Sequence, residues 1–258
     1  MTEERPSPPG DPVDPPGAAR QFLLRFPAQP HYTFDSFIDS PSTAFAVASA
    51  KSLARDPDPA SRSLFVSGPA GAGKTHLLMA LGNEVAQSGI EPLFLSCKLW
   101  NERLESTTLD KALQWAGKVV SHPLLLVDDV DCLNGKPRGQ EILYQVYNEL
   151  RDRGGRLAMT SRTRPNELKK TEPFLVSRLQ WGLTAELNPP GDEALERILH
   201  KLARDGGLEL PESTARFLIQ RLPRDFVSLR EAVETINRES LAQKKKVSLG
   251  MVKNVLKL

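Results

Sequence analysis

The chain has 258 residues, 40% hydrophobic and 26% charged, with 34 Lys plus Arg against 32 Asp plus Glu and a net charge of +2. This is ordinary for a soluble globular protein, and a balance so near neutral leaves no global field to draw the chain onto nucleic acid, so such contact has to be local or carried by a partner. No apolar run approaches the roughly 18 residues of a membrane helix, the acidic, proline-rich start has no apolar stretch of a secretory signal, and Cys97 and Cys132 have neither ligand spacing nor a disulfide framework, so a reducing cytoplasm is expected, with no membrane partner.

Six of the 21 prolines fall in the first 16 residues. Proline removes backbone donors and fixes φ, so residues 1–18 are expected to be a disordered tail. A short apolar island, Gln21-Phe22-Leu23-Leu24-Arg25-Phe26, precedes Pro27 and Pro30, and ordered structure is expected from about His31. Ser40 then Pro41 reads as an N-cap and first helical position, opening a helix to about Arg55. Strands are expected at 63–66, 92–96, 124–127 and 156–160, with helices at 74–87, within 98–119 and at 138–152. Strands apolar on both faces and separated by helices imply a parallel sheet covered on both sides. Pro189-Pro190-Gly191 is a strong break, and 192–205, 211–222, 226–243 and 247–256 read as helices only. The expected fold class is therefore α/β, a parallel-sheet P-loop core over 31–188 followed by a small all-α domain over 189–258, with 1–30 as the tail.

The strongest motif is Gly68-Pro69-Ala70-Gly71-Ala72-Gly73-Lys74-Thr75, which matches G-x-x-x-x-G-K-[ST] between a strand and a helix. The glycines let backbone N–H groups converge on phosphate oxygens at the positive end of a helix dipole. Lys74 is placed on the β- and γ-phosphates and the Thr75 hydroxyl on Mg²⁺, and His76, next along the helix, is counted with the nucleotide-binding residues. Leu124-Leu125-Leu126-Val127-Asp128-Asp129 ends a buried strand in two carboxylates: Asp128 suits the Mg²⁺ shell, and Asp129 the place of a residue that polarises attacking water. Aspartate is one methylene shorter than the glutamate usual there, which leaves catalytic competence open. His76, His122 and His200 lie in separate elements and suggest no metal site. Lys244-Lys245-Lys246 reads as a solvated turn, and Trp115 and Trp181 as packing residues, Trp181 also as a possible brace for Arg178.

With these motifs the chain resembles the AAA+ ATPases of the DnaA branch. Tyr32-Thr33-Phe34-Asp35-Ser36-Phe37 followed by Pro41-Ser42, and Ser177-Arg178-Leu179-Gln180-Trp181-Gly182-Leu183, are similar to DnaA segments. The chain stops after its helical domain, where DnaA continues into a helix-turn-helix domain. Its last stretches, Asn237-Arg238-Glu239-Ser240-Leu241 through Val252-Lys253-Asn254-Val255-Leu256-Lys257-Leu258, resemble the Hda family of regulatory inactivators of DnaA.

The resemblance, over about 19–258, implies ADP or ATP with Mg²⁺ as cofactors, and a helical lid closing on the nucleotide. It implies a peptide of the form Q-x-x-L-x-[LF], here Gln21, Leu24 and Phe26, that docks into the sliding clamp (β subunit) of DNA polymerase III, so that DNA is reached indirectly. Phe22 and Arg25 are less usual in that form. It also implies an arginine finger at Arg178 acting in trans on DnaA, a device worth roughly 10³–10⁵ in rate. Thr160 falls in the sensor 1 region, where Arg162 replaces the aspartate of the DnaA branch. Val227 stands where the sensor 2 arginine would be, with Arg224 and Arg230 three residues to either side as substitutes. The implied function is a nucleotide-bound, clamp-tethered stimulator of DnaA hydrolysis with weak turnover of its own. An assembly scaffold or helicase-loader-like protein that leaves DnaA hydrolysis alone, an autonomous ATPase ring, and a homodimeric resting state stay open.

Overall fold

In the computed structural model the described residues are 24–26, 31–37, 43–55 and 58–258. In chain order the core contains β1 (Leu24–Arg25), α1 (Ala44–Ala54), β2 (Ser63–Ser67), α2 (Lys74–Gln87), β3 (Leu93–Ser96), α3 (Cys97–Glu105), α4 (Leu109–Val119), β4 (Leu124–Asp128), α5 (Pro137–Asp152), β5 (Arg156–Ser161), α6 (Pro173–Leu179) and β6 (Leu183–Glu186). The remainder is α7 (Asp192–Asp205), α8 (Glu212–Arg221), α9 (Phe226–Gln243) and α10 (Leu249–Leu256).

One six-stranded sheet has the order β1-β3-β4-β5-β2-β6. All its pairings are parallel except that of β1 with β3. The inner strands are buried on both faces, and their alternation divides the core. Phe65, Leu125, Val127, Leu157 and Met159 join Trp100, Leu143 and Val146 on the face covered by α3 to α6. Leu64, Val66, Leu124, Leu126 and Ala158 join Leu53, Leu77 and Leu81 on the face covered by α1 and α2. The four C-terminal helices enclose a separate core that includes Leu195, Leu199, Leu218, Leu229, Ile236 and Val252. This is the expected α/β core and helical domain. Among the described residues no helix is long and apolar enough to cross a membrane.

Several expectations are corrected. The tail expected through residue 30 does not all stand apart from the fold: Leu24 and Arg25 pair antiparallel with Phe94 and Leu93, and Phe26 packs on the α1–α2 side of the core. The helical region within 98–119 is two helices, broken where Thr108 caps α4 by accepting a hydrogen bond from the Lys111 N–H. The expected cap Ser40 and Pro41 lie outside the described residues, and Thr43 stands at the N-cap of α1. Helix α6 is the one core helix the sequence did not announce. Seven residues beginning with a proline are too few for a periodic signal, and the helix rests on tertiary support. Buried Gln140 donates to the carbonyls of Leu133 (2.7 Å) and Lys170 (2.9 Å) and accepts from the Glu172 N–H (2.8 Å), fixing its entry. Leu175 and Leu179 anchor it in the core.

Candidate functional site

The loop from Gly68 to Thr75 leaves β2 at its C-terminal end and opens α2. Gly71 and Gly73 have φ of +78° and +93°, a left-handed region that favours glycine. Such turns direct successive N–H groups into an anion-binding concavity. At Gly68 the requirement is space, since a Cβ there would lie 2.2 Å from the Leu187 carbonyl oxygen. Lys74 is buried, and its ammonium donates to the carbonyls of Gly68 (2.7 Å) and Pro69 (3.0 Å). Burial lowers its pKa, and the charges of Asp129 and Asp128 oppose that shift. A buried cation held against a concavity of N–H groups fits a polyphosphate. Pro69, Ala70 and Ala72 complete the loop as spacers, with Ala72 packed into the core below.

The two carboxylates of the second motif meet the loop across β5, which lies between β2 and β4. The Ser161 carbonyl accepts from the Gly68 N–H at 3.1 Å. On the other side the Thr160 hydroxyl donates to Asp128 at 2.5 Å and accepts from the Asp129 N–H at 3.0 Å. Thr75 donates to the other Asp128 oxygen at 2.9 Å. Thr160 is thus a strut that orients Asp128 toward Thr75. Hydroxyl and carboxylate oxygens suit Mg²⁺, so Thr75 and Asp128 could hold that ion together with phosphate oxygens. Among the described residues no group of three or more His, Cys, Asp or Glu forms a metal site by itself. Asp129 adopts a left-handed φ of 58°, and its carboxyl is pushed up by burial, then by the charges of Asp128 and Asp131. Arg162 is held by Asp131: its backbone N–H donates to that carboxylate at 3.0 Å and its Nε lies 3.7 Å from it.

Between this loop and the C-terminal helices is a cavity of about 60 Å³, lined among others by Gly73, His76, Pro190, Leu195, Arg224 and Phe226. His76 is buried between Tyr32, Phe37 and Phe226, all in edge-on or tilted ring contact within 5.2 Å. Its Nε2 is 3.0 Å from the Ser36 hydroxyl. His76 therefore joins loop to lid through α9, a role its sequence position beside Thr75 did not reveal. Of the two substitute arginines, Arg224 lines the cavity. Its carbonyl oxygen would be 3.3 Å from a Cβ on Gly71, and its guanidinium pairs with Asp192 at 2.8 Å. Arg230 does not line it; its Nε lies 3.5 Å from Glu234, and its charge reaches His31. Val227 is exposed.

Burial holds the His76 imidazole down to about 4 against an ordinary 6.5. The unfolded chain binds this proton from about pH 6.5 downward and the folded one does not, so this contribution to stability is intact above that pH and declines as pH falls toward 4. At about 1.4 kcal/mol per pH unit the loss approaches ~3 kcal/mol. Urea unfolding of the wild type and of His76→Gln at pH 7 and 4.5 measures it: the variant is expected to lose that much less on acidification, and parallel losses would show that the histidine titrates freely.

Arg178 lies in the last turn of α6, half-buried on the α5 side of the sheet. Its Nε donates to Asn148 at 2.8 Å. The guanidinium stacks 5.0 Å from the Trp181 ring and 5.5 Å from Tyr144. Trp181 is half exposed, with Arg151 on it at 4.7 Å, so it braces arginines more than it fills a core. Its carbonyl accepts from Ser63, the first residue of β2. Arg178 therefore sits at the N-terminal end of the strands, whereas the phosphate loop leaves their C-terminal end, about 16 Å further along β2 at ~3.3 Å per residue. It cannot serve the loop of its own chain. Gln21 lies outside the described residues; Leu24 and Phe26 are far in the sheet from Arg178, at the β3 edge.

The family model for the bacterial DnaA ATPase domain matches residues 28–186, and that for the Hda lid domain matches 192–256. The chromosomal replication initiator protein DnaA of Geobacter metallireducens is 34% identical over 229 residues, 88% of this chain and 51% of that protein. DnaA of Geobacter sulfurreducens is 33% identical over 231 residues, 88% and 52% of the two chains. The chain spans about half the length of these curated relatives. Domain III of Thermotoga maritima DnaA has a TM-score of 0.76 at 32% identity, over 90% of this chain and 98% of that one. DnaA bound to AMPPCP and single-stranded DNA has a TM-score of 0.71 at 25% identity, over 84% and 69%. The Thermotoga maritima RuvB branch-migration motor shares the fold alone, with a TM-score of 0.64 at 17% identity over 90% and 73%. The architecture is AAA+.

Proposed function

The chain belongs to the bacterial DnaA ATPase-domain family, and from that premise we propose that it regulates the initiation of chromosome replication by stimulating ATP hydrolysis on DnaA, with Arg178 supplied in trans. The observation that carries this reading is the placement of Arg178. Its Nε is pinned to Asn148 and its guanidinium plane is set by Trp181, at the end of the sheet remote from its own phosphate loop. An arginine so oriented suits the nucleotide of a neighbouring molecule. The lid match over 192–256 supports the regulatory reading.

Residues 31–188 act as the nucleotide-binding core and 189–258 as the lid. The loop from Gly68 to Thr75 would hold ADP or ATP, and Thr75 and Asp128 would hold Mg²⁺; the negative charge of the phosphates would be offset by that ion, by Lys74 and by the loop N–H groups. Nucleotide, His76 and Phe226 together keep core and lid in one arrangement. The chain's own hydrolysis is weak: Asp129 is short, Arg162 faces Asp131, and Arg178 is out of reach. Gln21, Leu24 and Phe26 tether this cytoplasmic protein to the sliding clamp, and so to DNA, which raises its effective concentration near DnaA. A second reading, a scaffold that assembles with ATP but leaves DnaA hydrolysis unchanged, is favoured by the packing of Phe26 onto the core. DnaA ATP turnover with and without this chain and DNA-loaded clamp separates the two. Turnover is expected to rise at least tenfold only when both are added, and a flat response selects the scaffold.

A further inference from the structure

Gly82 stands inside the fourteen-residue α2, fully buried. Glycine weakens a helix interior relative to alanine, and no turn or positive φ requires it here. What requires it is one aromatic ring. A Cβ on Gly82 would lie 2.2 Å from Cε2 and 2.4 Å from Cζ of Phe26, and 2.8 Å from Cδ1 of Leu126. The helix has a notch, and Phe26 is seated in it. Immediately before the ring, Leu24 and Arg25 pair with Phe94 and Leu93 at the edge of β3. An edge strand otherwise presents a row of unpaired N–H and C=O groups, and here the pairing satisfies part of that row. Notch and edge together form a receptor on the core for residues 24–26.

Leu24 and Phe26 are also two of the three residues assigned above to the clamp. An aromatic ring in the Gly82 notch cannot enter a pocket on another protein, and a backbone paired with β3 cannot extend across a foreign surface. Resting on that clamp reading, we propose that the Gly82 notch and the β3 edge hold the clamp-binding segment closed, so that tethering requires its release from the ATPase core. The contact is small, two paired residues and one half-buried ring, and suits a reversible latch. A clamp selects the released state, and the apparent dissociation constant rises by the reciprocal of the released fraction. A segment docked 90–99% of the time weakens tethering by about 10- to 100-fold.

The test titrates purified sliding clamp with the full chain, with its Gly82→Ala variant, and with a synthetic peptide of residues 19–28. The substitution expels the ring without touching the peptide and favours the helix, while Leu126 meets it only with a movable methyl. G82A is expected to bind the clamp at least tenfold more tightly than the wild type and to approach the free peptide. A peptide that binds while G82A and wild type bind equally, and more weakly, overturns the latch and leaves the clamp reading standing. Absence of binding by peptide and both proteins overturns both. Hydrogen exchange on the wild-type chain decides the matter without a substitution: amides of 93–96 are expected to exchange faster when clamp is bound, and unchanged exchange in the complex overturns the latch.

Discussion

Replacing Arg178 by alanine is expected to lower clamp-dependent ATP turnover by DnaA about 10³-fold or more, to the unstimulated rate where stimulation is smaller, while the variant stays folded and is retained by the clamp. The side chain uses one donor, Nε, for its own fold, and its terminal nitrogens are the groups available to a neighbour. Truncation removes the charge from the transition state and takes from Asn148 one hydrogen bond of a kind worth about 1 kcal/mol. The catalytic loss therefore far exceeds the structural one. Lysine is not expected to rescue it, because the stack on Trp181 and the bond to Asn148 both use the planar guanidinium. Single-turnover hydrolysis of ATP bound to DnaA, with R178A and R178K compared with wild type, checks this. Full stimulation by R178A would remove the arginine from the mechanism.

Replacing Lys74 by alanine is expected to weaken binding of ADP and ATP by about 100-fold or more. Its ammonium is held by two carbonyls of the loop, aimed where phosphate charge concentrates, and each charge-assisted hydrogen bond is worth about 1.5–3 kcal/mol. Lys74 also sits among Asp128, Asp129 and Asp131, so its removal leaves three carboxylates facing a polyanion with one cation fewer. The effect extends to the lid, because ligand-linked stabilisation grows with RT ln(1 + [L]/Kd). Calorimetric titration with each nucleotide and the melting temperature at rising ADP measure both consequences: the wild type is expected to gain thermal stability with ADP and K74A to show almost none over the same range. Wild-type affinity in K74A would mean that nucleotide binds elsewhere.

Much of the phosphate site was legible because its chemistry is local. The glycine spacing, Lys74 and Thr75 occupy eight consecutive residues between a strand and a helix, and Asp128 follows a buried run that can only be a central strand. Less legible were the groups that matter through pairing across the sheet. Thr160 is one residue of a buried strand, and its bonds to Asp128 and Asp129 exist because β5 separates β2 from β4. Arg224 stands just before α9, where the chain meets the loop, while Arg230 lies within the helix and away from the cavity, and His76 became a core–lid contact because Phe226 arrives from 150 residues away. Short α6 carried no periodicity of its own and depends on Gln140.

By itself the sequence determined strands β2 to β5, the longer helices, the glycine-rich loop and the division into sheet and helical domain, since periods of two and 3.6 residues and the conformational freedom of glycine act over a few neighbouring residues. Only the tertiary structure decided where Arg178 faces, which arginine lines the cavity between loop and lid, and that Phe26 rests in the notch at Gly82. Those outcomes depend on strand order and on the closeness of segments far apart in the chain, and close packing admits a ring only where a partner has left out its own side chain.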